Sequence, residues 1–325
     1  MKTDNVLNLH LGTLNFDYPY TSAAQSICPK AILDAYLKRL GGKPALIDTA
    51  YYYGNARTER LLGELLQDHP RASYRVCSKA NPWFENDFET GKLGMLSEAG
   101  ITHQLTTSLK NLQLDTLDTY LLHAYDYETP LATTLEACDT LYRKERFNAF
   151  GVSNFSLQQL EDVIEICEHL TLHPSVYQGM YNIMCRKVEP VIQRMHDIKG
   201  GSFVAYNPLA GGLLTGRYRD RAAALNTPSR FSGNRIYQNI FWKEPLLNFC
   251  DALENPLSDA LQWLAHHSKL DPQCGDGIVI GASSSTQLDA TLTALTNAPT
   301  LKPFWVDKYD QLYKQIEGHT PNYCF

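Results

Sequence analysis

Long hydrophobic runs are missing from this 325-residue chain. Its longest apolar stretches are about a strand long, well short of the ~20 residues a membrane-spanning helix needs, so no span is expected. Clustered positive charge is missing too. The formal net charge is −6, with 29 Lys and Arg dispersed among 35 Asp and Glu. The basic stripe of a nucleic-acid binder is therefore absent. An anionic small molecule stays open, because it needs only a local positive site. The eight cysteines (28, 77, 138, 167, 185, 250, 274 and 324) include no CxxC pair and no zinc spacing. They are expected to be reduced, mostly buried residues of a cytoplasmic protein. The start, Met-Lys-Thr-Asp-Asn, leads straight into a short apolar segment, without the apolar region and cleavage site of a secreted precursor.

Several catalytic signatures are absent as well. No HxH or HExxH pair stands ready to hold a metal, and His266 and His267, adjacent on a helical pattern, point in different directions. No metal site is expected. GxSxG does not occur, and the run Ser283-Ser284-Ser285 has no base beside it, which suits phosphate contact better than nucleophilic attack. No GxGxxG follows the first apolar segment, so a Rossmann site is not indicated.

What the chain does have is alternation. Strand candidates fall at 7–14, 45–49, 74–79, 117–123, 148–153, 175–180, 202–207 and 277–281. Several are near-continuous runs of Val, Ile, Leu, Phe or Tyr, as parallel strands covered on both faces should be. Helical spacing recurs between them, at 31–37, 59–66, 157–170, 189–198 and 257–267. Eight strands separated by helices predict an α/β fold, a (β/α)8 TIM barrel forming a single domain over 1–325. Two excursions are longer than a minimal connection, Asn81–Gly100 and Asn207–Glu244. Both leave the carboxyl face of the expected barrel, which makes them candidates to cover a substrate or cofactor.

Four ionisable side chains stand where apolar runs end: Asp48 after Ala45-Leu46-Ile47, Tyr53 five positions on, Lys79 after 74–78, and His123 after Tyr120-Leu121-Leu122. Polar residues at the carboxyl ends of barrel strands read as catalytic. A phenol with a pKa near 10 is a poor acid at neutral pH. A cation about 4 Å away supplies up to ~4 kcal/mol at an effective dielectric of 20, or about three pKa units. Lys79 is the expected cation, Asp48 would hold it charged and oriented, and His123 could donate a hydrogen bond to a carbonyl oxygen. Taken singly, Tyr53 reads as packing and His123 as a satisfied structural residue; four suitable groups together shift that balance. A second signal is Asn207-Pro208-Leu209-Ala210-Gly211-Gly212-Leu213-Leu214-Thr215-Gly216-Arg217, whose small residues let backbone amides approach an anion beside Arg217. It follows the seventh strand, and Gly281-Ala282-Ser283-Ser284 follows the eighth, which is the recurrent phosphate position of such barrels.

These residues resemble the aldo-keto reductases. Asp48-Thr49-Ala50-x-x-Tyr53, Lys79 and His123 look like that family's tetrad. Further strings (Lys79 to Phe84, Gly151 to Phe155, Val176 to Asn182, Asn207 to Tyr218, Trp242-Lys243-Glu244, His266-His267-Ser268 and Pro321-Asn322-Tyr323) are similar to the aflatoxin-aldehyde or succinic-semialdehyde reductase branch. The likeness spans essentially the whole chain. It implies NADPH-dependent reduction of aldehydes, dicarbonyls included, to alcohols, with a role in detoxification. Tyr53 would be the general acid, His123 would orient the carbonyl, and Lys79 and Asp48 would tune the phenol. Ser153, Asn154 and Gln178 would hold the nicotinamide carboxamide, with Tyr206 stacked on its ring. Asn207, Leu209, Gly211, Leu213, Gly216 and Arg217 would run along the pyrophosphate, and Ser283, Ser284 and Gln287 would surround the adenosine phosphate. Trp83 and Tyr237 would join His123 around the substrate. The likeness also allows a homodimer.

The departures carry information. The branch pattern places an Arg before the aromatic-Trp-Lys-Glu string, where this chain has Ile240. A bidentate carboxylate clamp is then missing unless Arg230 or Arg235 replaces it, so uncharged aldehydes should be used better than succinic semialdehyde. Thr291 stands for the family's Asn, the chain ends Tyr323-Cys324-Phe325 instead of Tyr-Phe-Arg, and Gly91–Gly100 reads as a surface insertion. NADPH remains the expected cofactor because Arg217 keeps a cation near the phosphate loop. Two other classes compete. Channel-associated β subunits share the scaffold and hold the nucleotide with little turnover, and a metal-dependent barrel hydrolase would need a bound metal.

Overall fold

The structure is a computed structural model that describes residues 6–17, 27–84, 91–226, 230–232 and 234–324. Its strands are β1 (Asn8–Gly12), β2 (Ala45–Asp48), β3 (Tyr74–Ala80), β4 (Leu117–Leu122), β5 (Phe147–Ser153), β6 (Pro174–Met180), β7 (Ser202–Tyr206) and β8 (Gly277–Gly281). They close into a barrel in sequence order, with every pair parallel, β1 with β8 included. The near-continuous apolar runs account for this: a strand buried on both faces needs helices outside and packed side chains within. The chain is the (β/α)8 barrel expected from its alternation. The first strand is shorter than expected, because the chain turns into a short 3-10 helix at Leu14–Asp17.

The helices are α1 (Pro29–Arg39), α2 (Arg57–Leu66), α3 (Glu98–Leu112), α4 (Leu131–Arg143), α5 (Leu157–Cys167), α6 (Glu189–Asp197), α7 (Arg221–Asn226), α8 (Arg235–Phe241), α9 (Glu244–Asp251), α10 (Pro256–His266), α11 (Ser285–Thr296) and α12 (Pro303–Ile316). Local sequence sets their starts. Ser156 and Gln159 form a reciprocal capping box on α5. Ser97, Asn234 and Ser284 cap α3, α8 and α11. Proline occupies the first turn of α1, α9, α10 and α12, where its missing N–H costs nothing. Among the described residues no helix is long and apolar enough to cross a membrane.

The two excursions differ in kind. The one after β7 holds a 3-10 helix at Ala210–Thr215 and then α7 and α8; residues 227–229 and 233 lie outside the described ones. Of the one after β3, residues 85–90 lie outside them too. Its later part lies at the surface as expected, with Gly91, Lys92, Glu98 and Ala99 exposed, but is anchored at one point. Leu96 is buried, its N–H donates to the Asp126 carboxylate at 3.0 Å, and its carbonyl accepts from Thr134 at 2.9 Å. Gln104 donates to the Met95 carbonyl at 3.0 Å and tethers the segment to α3.

Candidate active site

Strand register brings the tetrad together. Asp48 closes β2 opposite Cys77 of β3, and side chains two residues apart share a face, so Lys79 points to the same interior. The pairing continues beyond β2, with Thr49 N–H donating to the Cys77 carbonyl at 2.9 Å and Tyr51 N–H to the Lys79 carbonyl at 3.2 Å. The chain then reverses through Gly54, Asn55 and Ala56, three successive residues in the left-handed region with φ of 58°, 54° and 63°. This turn sets Tyr53 over the barrel mouth. His123 follows β4, its N–H bound to the Ala80 carbonyl at 2.7 Å.

The Lys79 ammonium donates to both Asp48 oxygens, at 2.8 and 2.9 Å, and to the Thr49 carbonyl at 2.7 Å. All three of its protons are thereby used. Gln178, reaching across from β6, donates to Asp48 Oδ2 at 2.7 Å. Burial works most strongly against the Lys79 charge, but Asp48, with Tyr53 and Cys77 beside it, together hold the ammonium above its ordinary value. Lys79 Nζ lies 5.4 Å from the centre of the Tyr53 ring, so the two are neighbours. The expected lowering of the phenol does not follow. Burial pushes Tyr53 up to about 12, and the Lys79 cation only moderates the rise. The lysine's hydrogen bonds all go to Asp48 and Thr49, and desolvation of the phenol is the larger effect. Burial first, and Lys79 second, hold the His123 imidazole well below its ordinary value, so it is neutral at neutral pH. Its Nδ1 has no hydrogen-bond partner among the described residues. The Tyr52, Tyr53 and Trp83 rings surround it edge-on, with centroids 6.0, 5.9 and 5.9 Å away.

A cavity of about 670 Å³ opens over this floor, within the ~300–1,000 Å³ usual for small-molecule and cofactor pockets. Asp48, Tyr53, Trp83 and His123 line one end of its wall, with Ser153, Asn154, Gln178 and Tyr206 beside them. Ser153 and Gln178 are register partners on β5 and β6. Asn154 takes a left-handed backbone (φ 61°) that an asparagine tolerates, and its side chain donates to the His123 carbonyl at 2.8 Å and accepts from Tyr206 OH at 2.7 Å. Asn207, Leu209, Gly211 and Arg217 continue the lining, and Ser283 and Gln287 close the far end, joined by a 2.9 Å hydrogen bond. At Gly211 a Cβ would meet the Tyr237 ring at 2.7 Å, and the backbone is left-handed, so the wall depends on glycine there.

Four sequence-derived site residues stand outside this lining, Lys79 among them, fully buried beneath it and bound to Asp48. Leu213 is buried in the core, Gly216 packs against Pro256, and Ser284 uses its hydroxyl to cap α11. Ile240 also packs against the core, and it is Ile236, one turn earlier, that faces the cavity together with Tyr237. A cation does stand in the cavity wall: Arg230 donates to Tyr237 OH at 3.0 Å and to Asn15 Oδ1. Tyr237 OH in turn bonds with the Asn207 side chain at 3.2 Å. Asn15, Tyr52 and Ile236 were not singled out in the sequence. Asn15 lies just past the end of the first strand candidate, the same kind of position that identified His123.

A closed parallel barrel with a buried lysine–aspartate pair, a phenol and a neutral imidazole under a dinucleotide-sized cavity defines a barrel enzyme of proton-transfer chemistry. The chain belongs to the aldo/keto reductase family, whose model matches residues 8–314, and it is an oxidoreductase of the kind that works with a nicotinamide dinucleotide. It is similar to rat aflatoxin B1 aldehyde reductase member 2, at 34% identity over 96% of this chain and 86% of the relative. The human protein of the same name is 35% identical over 96% and 88%. Human aflatoxin B1 aldehyde reductase member 4 is 35% identical over 85% and 87%. The cavity fits the cofactor by its volume and by the glycine wall at Gly211.

Proposed function

We propose that the chain reduces aldehydes to alcohols with NADPH, with Tyr53 as the proton donor. The observation that carries this reading is the Tyr53 hydroxyl-bearing ring and His123 side by side at the cavity floor, 5.9 Å between ring centroids, with Lys79 and Asp48 locked beneath. When bound, the reduced nicotinamide supplies the hydride. Ser153, Asn154 and Gln178 would hold its carboxamide and Tyr206 would stack on its ring, while Arg217, Ser283 and Gln287 would take the phosphates. His123, being neutral, has an N–H to donate to the carbonyl oxygen, which orients the substrate and favours charge building on that atom. Tyr53 then gives its proton to the same oxygen. Because burial keeps the phenol protonated, the donor is fully loaded at neutral pH. Lys79 limits the cost of the phenolate left behind, and Asp48 and Gln178 keep the lysine in place. Trp83 and Tyr237 supply apolar walls for the rest of the aldehyde. Consumption of NADPH in the presence of 4-nitrobenzaldehyde tests the reading. Multiple turnovers lost in Tyr53→Phe support it, whereas nucleotide binding without turnover contradicts it.

A further inference from the structure

On the other side of β3, away from the cavity, a second carboxyl is buried. Glu59 lies in the first turn of α2 and is 0% exposed. Ser78 Oγ donates to its Oε1 at 2.5 Å, a length typical of a hydroxyl held by an ionised carboxylate. Ser78 is the residue before Lys79, and strand alternation sends the two side chains to opposite faces. The carboxyl is faced by Ser108 from α3, Tyr120 from β4, Tyr51 from the loop before α2, and the Lys79 cation from across the strand. Burial raises it to about 7, with Ser78, Ser108 and Lys79 pulling the other way. A glutamine of the same shape would satisfy the Ser78 hydroxyl without burying a charge, so packing alone does not account for an acid here.

The position of Glu59 in the chain gives the acid a task. α2 begins directly after the left-handed turn that carries Tyr53, and its N-cap, Ala56, offers no side-chain cap. The turn is held from outside by Asn111 on the Ala56 carbonyl at 3.3 Å and by the Arg57–Asp17 ion pair at 2.6 Å. Glu59 adds a side-chain link to the lysine's own strand, beside the main-chain one from Tyr51 N–H to the Lys79 carbonyl at 3.2 Å. A negative charge in the first turn also favours an uncapped helix start. We propose that Glu59 is a positioning residue for the reduction: through Ser78 it clamps the start of α2, and with it the Tyr53 turn, to the strand that carries Lys79, and the clamp is tight when the carboxyl is ionised and slack when it is neutral. The inference rests on the reading of Tyr53 as proton donor, since a displaced phenol matters only if it delivers the proton.

The test is the single-turnover rate of NADPH oxidation by 4-nitrobenzaldehyde, measured between about pH 5.5 and about pH 8.5. The wild-type rate should rise through neutrality to a plateau about tenfold above its acid limb, since a small misplacement of a reacting group is felt strongly. Glu59→Gln should stay at the acid-limb level at every pH, with KM for NADPH unchanged. Ser78→Ala removes the other half of the clamp and should likewise stay at the acid-limb level at every pH. A Glu59→Gln curve of wild-type shape, whether at wild-type height or uniformly lowered, would overturn the proposal, the lowered curve marking a merely structural role. Should Glu59→Gln fail to fold, Ser78→Ala decides, and a curve that still rises through neutrality as in wild type overturns the proposal. Tyr53→Phe run alongside separates the two ideas. If that variant keeps the rate, the proton-donor reading fails; if it is dead while Glu59→Gln behaves as wild type, only the clamp fails.

Discussion

Two aspartates, at most 1% exposed, each meet a basic side chain in this barrel, one at either end. At the carboxyl end Asp48 binds Lys79 at 2.8 Å and accepts from Gln178. At the opposite end, just before β8, Asp276 meets His196 at 2.8 Å and accepts backbone N–H groups from Phe203 at 2.7 Å and Asp271 at 2.8 Å. Distance and the burial of the aspartates do not tell them apart. Surroundings do. Asp276 spends its lone pairs on main chain and so ties α6, β7 and the approach to β8 into one corner. Asp48 spends its own on side chains, and it lines the cavity with Gln178, Tyr53 and His123. A buried ion pair is weak evidence of function until one asks what its partners face.

Substitution should separate the two ends most sharply in rate. Tyr53→Phe is expected to lower the single-turnover rate by about 10²–10⁴-fold, the usual weight of a positioned proton donor. His196→Asn, at the structural end, should leave the rate within about twofold and lower only Tm. Equal rate losses would erase the distinction. In the reverse direction the phenolate is the required form. With Tyr53 held up to about 12, alcohol oxidation should climb about tenfold per pH unit between about pH 7 and pH 9; a flat profile there would remove Tyr53 from the proton path. Lys79→Met leaves Asp48 buried without its cation and should destabilise the fold by about 3–5 kcal/mol, read by denaturant unfolding, besides abolishing turnover.

Smaller effects sharpen the picture. The folded Glu59 carboxyl titrates at about 7, above its ordinary 4.5. A raised carboxyl contributes stability that is fully present below about pH 4.5 and is lost as pH rises through about 7. Glu59→Gln should therefore match wild type near pH 4 and exceed it at pH 8 by up to about 3 kcal/mol, seen as a higher Tm. An unchanged Tm difference across pH would mean the carboxyl does not titrate there. The smallest expected effect is in substrate choice. Arg230 already donates to Tyr237 and Asn15, so a substrate carboxylate has to compete for it. Uncharged aldehydes should show kcat/KM several-fold, roughly three to ten times, above succinic semialdehyde; equal values would show that the guanidinium is readily recruited.

The barrel was legible because its strands are buried on both faces and so read as short apolar runs. The tetrad was legible for the same reason: a charge at the end of such a run is costly to bury unless it meets partners at the barrel mouth. The direction of the Tyr53 shift was not, since a sequence shows the nearby cation but not the desolvation that outweighs it. Ile240 shows a second limit. Its place in a string marked it as cavity-facing, but the phase of α8 turns Ile236 and Tyr237 to the cavity instead. The Arg230–Asn15 contact joins residues 215 positions apart, and no local pattern announces it. Glu59 was visible only as one polar residue in an amphipathic helix, because its meaning comes from Ser78 on a neighbouring strand.

The reversed winding at Gly54–Ala56 also limits how the protein can change. A right-handed helix advances about 100° per residue, so α2 lengthened backwards by a single residue would rotate the tyrosine out of the barrel mouth. The opposite-handed stretch acts as a stop that keeps α2 from growing toward it. Loop grafts or consensus edits that straighten those residues into regular helix would improve local propensity and disarm the enzyme.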